Sequence, residues 1–245
     1  MLVWRRKRDS NPRNPFEFNG FQDRRFQPLT HSSNNYPTID RLKPFLIGVA
    51  GLSGSGKTAL ARKLAPHLSA EVITLDAYYH PQSHLSLEER AHLNFDHPNA
   101  LDWRLLSSHL AALIRGEPIE EPLYLFDRHT RAESTRRIDP RPIFIVEGIL
   151  ALHLPEVRQQ LDLCVFVTTR DEECLRRRLE RDIAERGRTR ESVLEQYYST
   201  VWPMALQYVL PSREHAGLVV SGEEPLDESV AAVLRMLQSR RAASA

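Results

Sequence analysis

The eight residues 51–58, GLSGSGKT, constrain this chain more than any others, because a run so rich in glycine and hydroxyl side chains cannot be packed into a core. They follow the apolar run 45–50, FLIGVA, and lead into residues at helical spacing, so a buried strand turns here into a helix. The spacing G-x-x-x-x-G-K-T lets the backbone fold tightly and aim successive N–H groups at phosphate oxygens. The dipole of the helix that follows adds positive potential at the same point. Gly51, Ser53, Gly54, Ser55, Gly56, Lys57 and Thr58 are therefore nucleotide-binding candidates. Lys57 is placed to reach the terminal phosphates, and the Thr58 hydroxyl to ligate Mg²⁺.

Beyond this loop, short apolar runs alternate with amphipathic stretches. FLIGVA (45–50), EVITL (71–75), IFIVE (143–147), LCVFV (163–167) and LVVS (218–221) read as strands buried on both faces. Helices are expected from Lys57 to about Leu64, before Pro66; over 102–116, ended by Gly116; after Asp171; from about Arg190 to Leu210, interrupted by Pro203; and near the C-terminus, with Val230, Val233, Leu234 and Leu237 on one face. The alternation predicts an α/β fold, a parallel sheet with helices on both faces. The 245 residues suit one substantial domain at 45–245. Residues 1–44 lack periodic apolar pattern and read as an extended or disordered tail, despite the basic WRRKR at 4–8. A net charge of +1 argues against nucleic-acid or membrane-surface partners, and no apolar run is long enough to span a bilayer. Cys164 and Cys174 fit no metal or redox spacing, which points to incidental thiols in a reducing, cytoplasmic setting.

A phosphate-binding loop alone does not separate a kinase from a GTPase, a motor or a nucleotide sensor; the acidic residues do. Asp76 ends EVITLD and Glu147 ends IFIVE, each at the carboxyl end of a buried strand, where open α/β sheets place ligands. One such carboxylate can take a proton from an attacking hydroxyl while the other holds Mg²⁺, so Thr58, Glu147 and Asp76 form the metal candidates. In NFDHPNALDW (94–103), Phe95 offers a stacking face and Asp96 acceptors for vicinal hydroxyls, whereas Asp102 reads as a helix cap. The polar, proline-rich stretch 117–142 carries Tyr124, Phe126 and His129 and suggests a short hairpin strand walling a pocket. After Asp171, Leu175, Leu179 and Ile183 read as the buried stripe of a helix. Pairing of Glu172 with Arg176 and Glu173 with Arg177 then leaves Arg178, Arg181, Arg186 and Arg188 free to close over a phosphoryl group.

The order GLSGSGKT, LDAYY, NFDHPNALD, PLYLFDRHTR, VEGIL and RDIAERGR followed by SVLEQY resembles the uridine–cytidine kinases of the uridine kinase and phosphoribulokinase group. The resemblance covers about residues 45–225 and leaves the first 44 outside it. It implies a P-loop NTPase-type sheet, a hairpin forming a nucleoside pocket and an Arg-rich helical lid. It further implies transfer of the γ-phosphoryl group of ATP, or GTP, with Mg²⁺, to the 5′-hydroxyl of uridine or cytidine. By the same resemblance Asp76 is the catalytic base, with Lys57, Arg178 and Arg181 as catalytic partners. Asp96 holds the ribose hydroxyls, Tyr124 and His129 address the pyrimidine, and Phe95, Arg178 and Gln196 complete the nucleoside site. Arg186 and Arg188 join the ATP site, Glu147 shares Mg²⁺ with Thr58, and the assembly is a homotetramer. The sequence departs from the family where Ala77 and Tyr78 follow Asp76, and where Leu125 replaces an acid that appears two positions later as Asp127. The alternatives are a related kinase for another alcohol, such as ribulose 5-phosphate or pantothenate, and a nucleotide sensor that transfers nothing.

Overall fold

A computed structural model describes residues 43–242, so the expected N-terminal tail lies almost wholly outside the described residues. The five strands form where expected, but the two at the sheet edges, 71–74 and 218–221, each bury only one residue of four, because an edge strand is not covered on both faces. β1 (Phe45–Gly51), β2 (Glu71–Thr74), β5 (Ile143–Glu147), β6 (Leu163–Thr168) and β7 (Leu218–Ser221) form one sheet in the order β2-β5-β1-β6-β7. All neighbours in it run parallel. Every residue of β5, and six of the seven in β1, is buried, which requires cover on both faces. The first connection out of β1 leads to one side of the sheet and β6 lies on the other, so the loop after β1 sits at a topological switch point.

Register decides what meets at that point. Val49 and Thr74 both lie level with Glu147, and β1 continues two residues further to Gly51 before the loop begins. Leu75 leaves the sheet for a 3₁₀ turn, Leu75–Tyr78, that carries Asp76. The core packs Leu46, Phe144, Val146 and Phe166 against Leu106, Leu110 and Leu113 of α3 (Trp103–Ile114), which is capped by Asp102 as expected. Two apolar helices elsewhere complete the cover: α1 (Lys57–Leu68) packs on α8 (Leu226–Ala242), which buries Val230, Val233 and Leu237.

Prolines did not break helices where the sequence expects it. α1 runs through Pro66 to Leu68, because Pro66 lies exposed in the last turn, where its missing N–H costs a single helical hydrogen bond. Likewise the helical run that α6 (Arg190–Gln196) begins is not broken at Pro203. Two π-turns, Tyr197–Val201 and Ala205–Val209, flank the short α7 (Trp202–Met204), and the backbone stays right-handed helical to Leu210. The wider turns absorb the missing donor and the ring of Pro203.

The stretch 117–142 is a larger hairpin than expected: β3 (Ile119–Leu125) pairs antiparallel with β4 (Thr130–Ile138), with a register shift between Pro122 and Tyr124. It is tied to the main sheet by Arg136, which donates to the buried Glu121 carboxylate at 2.9 and 2.7 Å, to Glu71 at 2.7 Å and to the Val72 carbonyl at 3.1 Å. Burial raises the Glu121 pKa, and Arg136 acts against it. Arg136→Gln should therefore destabilise the fold by roughly 2–3 kcal/mol near neutral pH, less than for a fully buried pair because Arg136 stays half exposed. A carboxyl whose pKa is raised by folding favours the fold when protonated. The deficit measured by denaturant titration should accordingly shrink as the pH falls into the ordinary carboxylate range.

Candidate active site

The loop between β1 and α1 has the geometry its glycines predict. Gly54 (φ 88°) and Gly56 (φ 97°) are left-handed, and a Cβ on Gly54 would lie 2.4 Å from the Cys174 carbonyl oxygen. Gly56 caps α1, leaving the first N–H groups of that helix without a side-chain partner and open to an anion. The Lys57 ammonium bends back to the Leu52 carbonyl at 3.4 Å, across the mouth of the loop. Ser53 Oγ accepts a hydrogen bond from Arg178 at 3.0 Å, while Ser55 Oγ is buried without a partner.

Register brings Glu147 to the foot of this loop. Its two carboxylate oxygens accept hydrogen bonds from Thr58 Oγ1 at 3.0 Å and Thr74 Oγ1 at 2.9 Å. Burial raises its pKa; Lys57 and the two threonine bonds oppose the rise, and Asp76 adds to it. Asp76 stands one turn beyond β2, partly exposed, and its carboxylate accepts no hydrogen bond from the described residues. Thr58, Glu147 and Asp76 are hard oxygen donors next to a phosphate-binding loop. That set fits Mg²⁺, which prefers one or two carboxylates together with phosphate oxygens and water.

The acceptor candidates also converge. Asp96 is buried, its carboxylate takes no hydrogen bond from the described residues, and burial raises its pKa against the pull of Arg178. Beside it stands an aromatic box. Phe95 stacks on His129 with centroids 5.5 Å apart and planes 19° apart, and Tyr79 meets both Phe95 and Tyr124 at 5.2 Å. Tyr124 Oη is buried without a partner. His129 is held at φ 48°, and burial, with help from Arg188 and Arg186, lowers its pKa, so the ring is neutral near pH 7 and can both donate and accept. Tyr79 was given no role from the sequence, although LDAYY puts it three residues after Asp76. Asp127 is exposed at the hairpin tip and its ion pair among the described residues is with Arg128, so it stands outside the half-buried position of Leu125.

The Arg-rich helix α5 (Asp171–Arg186) differs most from expectation. Its buried stripe is Cys174, Arg178 and Asp182 with Leu179, whereas Ile183 is 43% exposed. Apolar spacing misled because this face meets the phosphate loop instead of the core. Arg176 pairs with Glu173 and Glu180, not with Glu172, while the Glu173–Arg177 pair forms as expected. The four arginines read as free are not free. Arg181, Arg178, Arg186 and Arg188 approach the Asp182 carboxylate at 2.8, 3.4, 3.4 and 4.0 Å. Gln196 is joined to the same group, its amide oxygen accepting from Arg178 at 2.9 Å and from Arg188. Asp182 was missed, though it lies four residues from both Arg178 and Arg186 in the sequence.

Comparison with known proteins agrees with this geometry. Residues 46–224 match the Phosphoribulokinase / Uridine kinase family. The chain is 47% identical over 182 residues to a uridine kinase of Shewanella frigidimarina, covering 71% of this chain and 86% of that one. It is equally 47% identical over 182 residues to a uridine kinase of Vibrio cholerae, covering 71% and 85%. Among solved structures, phosphoribulokinase from Rhodobacter spheroides superposes with a TM-score of 0.55 at 16% identity, covering 76% of this chain and 75% of that one. D-glycerate 3-kinase from Cryptococcus neoformans gives 0.54 at 18%, covering 75% and 88%; at such identities these two show the fold alone. A parallel sheet with its phosphate loop at the switch point, matched over most of its length, makes this chain a member of the Phosphoribulokinase / Uridine kinase family.

Proposed function

We propose that this chain transfers the γ-phosphoryl group of ATP to the 5′-hydroxyl of uridine or cytidine, giving UMP or CMP. The observation that carries the reading is Asp96, a buried carboxylate without a hydrogen-bond donor, set between a phosphate-binding loop and a box of Tyr79, Phe95, Tyr124 and His129. Vicinal ribose hydroxyls supply the donors that Asp96 lacks, and a flat base suits the aromatic walls with Tyr124 Oη and neutral His129 at its edge. A sugar phosphate or another simple alcohol would leave that box without a partner. The relatives named uridine kinase support the same acceptor.

In this reading the loop residues 51–58 hold the donor's phosphates, and a cavity of about 140 Å³ lined by Gly56, Arg177, Ser221 and Gly222 receives its base. GTP is a second candidate donor. Asp76 accepts the proton of the attacking 5′-hydroxyl. Lys57, Arg178 and Arg181 offset the charge that gathers on the phosphoryl oxygens, with Arg186 and Arg188 behind them. Thr58, Glu147 and Asp76 would hold Mg²⁺, which when bound neutralises part of the phosphate charge. The space over Asp96, between Leu52, Ile149, Tyr197 and Trp202, is only about 10 Å³, so in this reading a nucleoside enters when the helical run that carries Tyr197, Val201 and Trp202 moves aside, and water is excluded when it returns. The active unit is residues 45–245, the place cytoplasmic and the assembly a homotetramer, the last readable by light scattering.

An ADP-release assay with purified protein and a nucleoside panel tests the substrate. Uridine and cytidine should be used, with 2′-deoxyuridine and thymidine poorer by up to about 10⁴-fold; thymidine used as well as uridine would sink the reading. Asp76→Asn should lower kcat by roughly 10²–10⁴-fold with nucleoside affinity kept. Asp96→Asn should do something less expected. Because folding raises the Asp96 pKa, the ionised carboxylate burdens the fold at neutral pH and the protonated one does not. The variant should therefore melt above the wild type at pH 7.5 and converge with it toward pH 4, while losing nucleoside binding.

A further inference from the structure

Nothing in the proposed reaction uses Asp182, yet it is the most enclosed charge on α5, with none of its surface exposed. Four guanidiniums converge on its carboxylate, so the cluster of five charged groups carries a surplus of positive charge. The backbone carbonyl of the same residue accepts the N–H of Gly187, the left-handed residue that ends α5, and that of Arg188 at 3.1 Å. One residue therefore fixes both where the helix stops and where the arginines beyond it return.

The cluster has a direction. Arg178 donates to Ser53 of the phosphate loop at 3.0 Å and to Gln196 at 2.9 Å, while the Arg186 guanidinium lies 4.9 Å over the Phe126 ring at the hairpin tip. Like-charged guanidiniums this close repel one another in the absence of an anion between them. Burial and neighbouring Arg181 pull the Arg186 pKa down, and Asp182 acts against both. A guanidinium has five N–H donors, so Arg181 can keep its hydrogen bond to Asp182, and the other three their ion-pair contacts, while turning further N–H groups toward a phosphate.

We infer that Asp182 is a positioning residue, whose buried carboxylate holds Arg178, Arg181, Arg186 and Arg188 together as a preformed cation cluster for the phosphoryl group in transit. This deepens the kinase reading and rests on it. Asp182 touches no substrate; it acts by setting where the arginines stand, and a small displacement of such groups costs about 10²-fold in rate.

The test uses the full chain and Asp182→Asn, which keeps the shape and removes the charge. Turnover with uridine should fall about 10²-fold. Removing a negative charge from a site that binds anions should at the same time tighten competitive inhibition by inorganic tripolyphosphate by about three- to tenfold. A merely structural role would weaken both in proportion to the folded protein lost, so unchanged turnover, or weaker tripolyphosphate binding, overturns the inference. Should Asp182→Asn fail to fold, the double variant Asp182→Asn/Arg181→Gln removes one cation with the anion. Its turnover should lie at least about tenfold below that of Arg181→Gln alone, and equality overturns the inference. If the wild-type chain phosphorylates no nucleoside, the substrate reading falls separately, and the tripolyphosphate comparison still decides the role of Asp182.

Discussion

Glu147 is the point on which the site depends. Its carboxylate joins Thr58, in the first turn of α1, to Thr74, the last residue of β2, and so ties the phosphate loop to the strand that delivers Asp76. That tie exists because β5 lies between β1 and β2 in the sheet, with Val49, Glu147 and Thr74 level in register. A slip of one residue in β5 would turn Glu147 to the other face and replace it with apolar Val146 or with Gly148. The chemistry of the site is thus decided by strand pairing before any ligand arrives.

Acidic residues buried in the absence of ligand mark where the fold gives up stability for function. Glu147 and Asp96 both have pKa values raised chiefly by burial, and the Asp96 carboxylate accepts no hydrogen bond from the described residues. Such groups are costly in a folded protein unless something pairs with them. Asp182 meets the same problem only in part from within the chain: Oδ1 accepts a hydrogen bond from Arg181, while Oδ2 has the nearby charges of Arg178 and Arg188 but no hydrogen bond among the described residues.

Much of this was legible in the sequence where a local rule has one outcome. The glycine-rich loop, the five strand positions and the Asp102 cap follow from backbone freedom, apolar patterning and capping chemistry, each of which acts within a few residues. Asp76, Glu147 and Asp96 could be singled out as candidates for a related reason, since acids at the ends of apolar strands and in turns stand out. What was not legible depends on partners distant in the chain. The inward face of α5 bears charge because it meets Ser53 and Gln196, so reading Leu175, Leu179 and Ile183 as its buried stripe went astray. The tolerance of the helical run 190–210 for Pro203 similarly rests on wide turns that no propensity scale records.

The contact of Arg186 with Phe126 carries a consequence of another kind. The hairpin tip packs Phe126 on Tyr124, one wall of the aromatic box proposed for the acceptor, whereas Arg186 belongs to the helix whose Arg178 reaches the phosphate loop. Two ligands that bear on the two sides of one contact are linked in free energy, and linkage is reciprocal. Whatever factor one ligand gains from the presence of the other, the second gains equally from the first. The order of addition can change the path through the binding cycle but leaves the product of the two affinities the same.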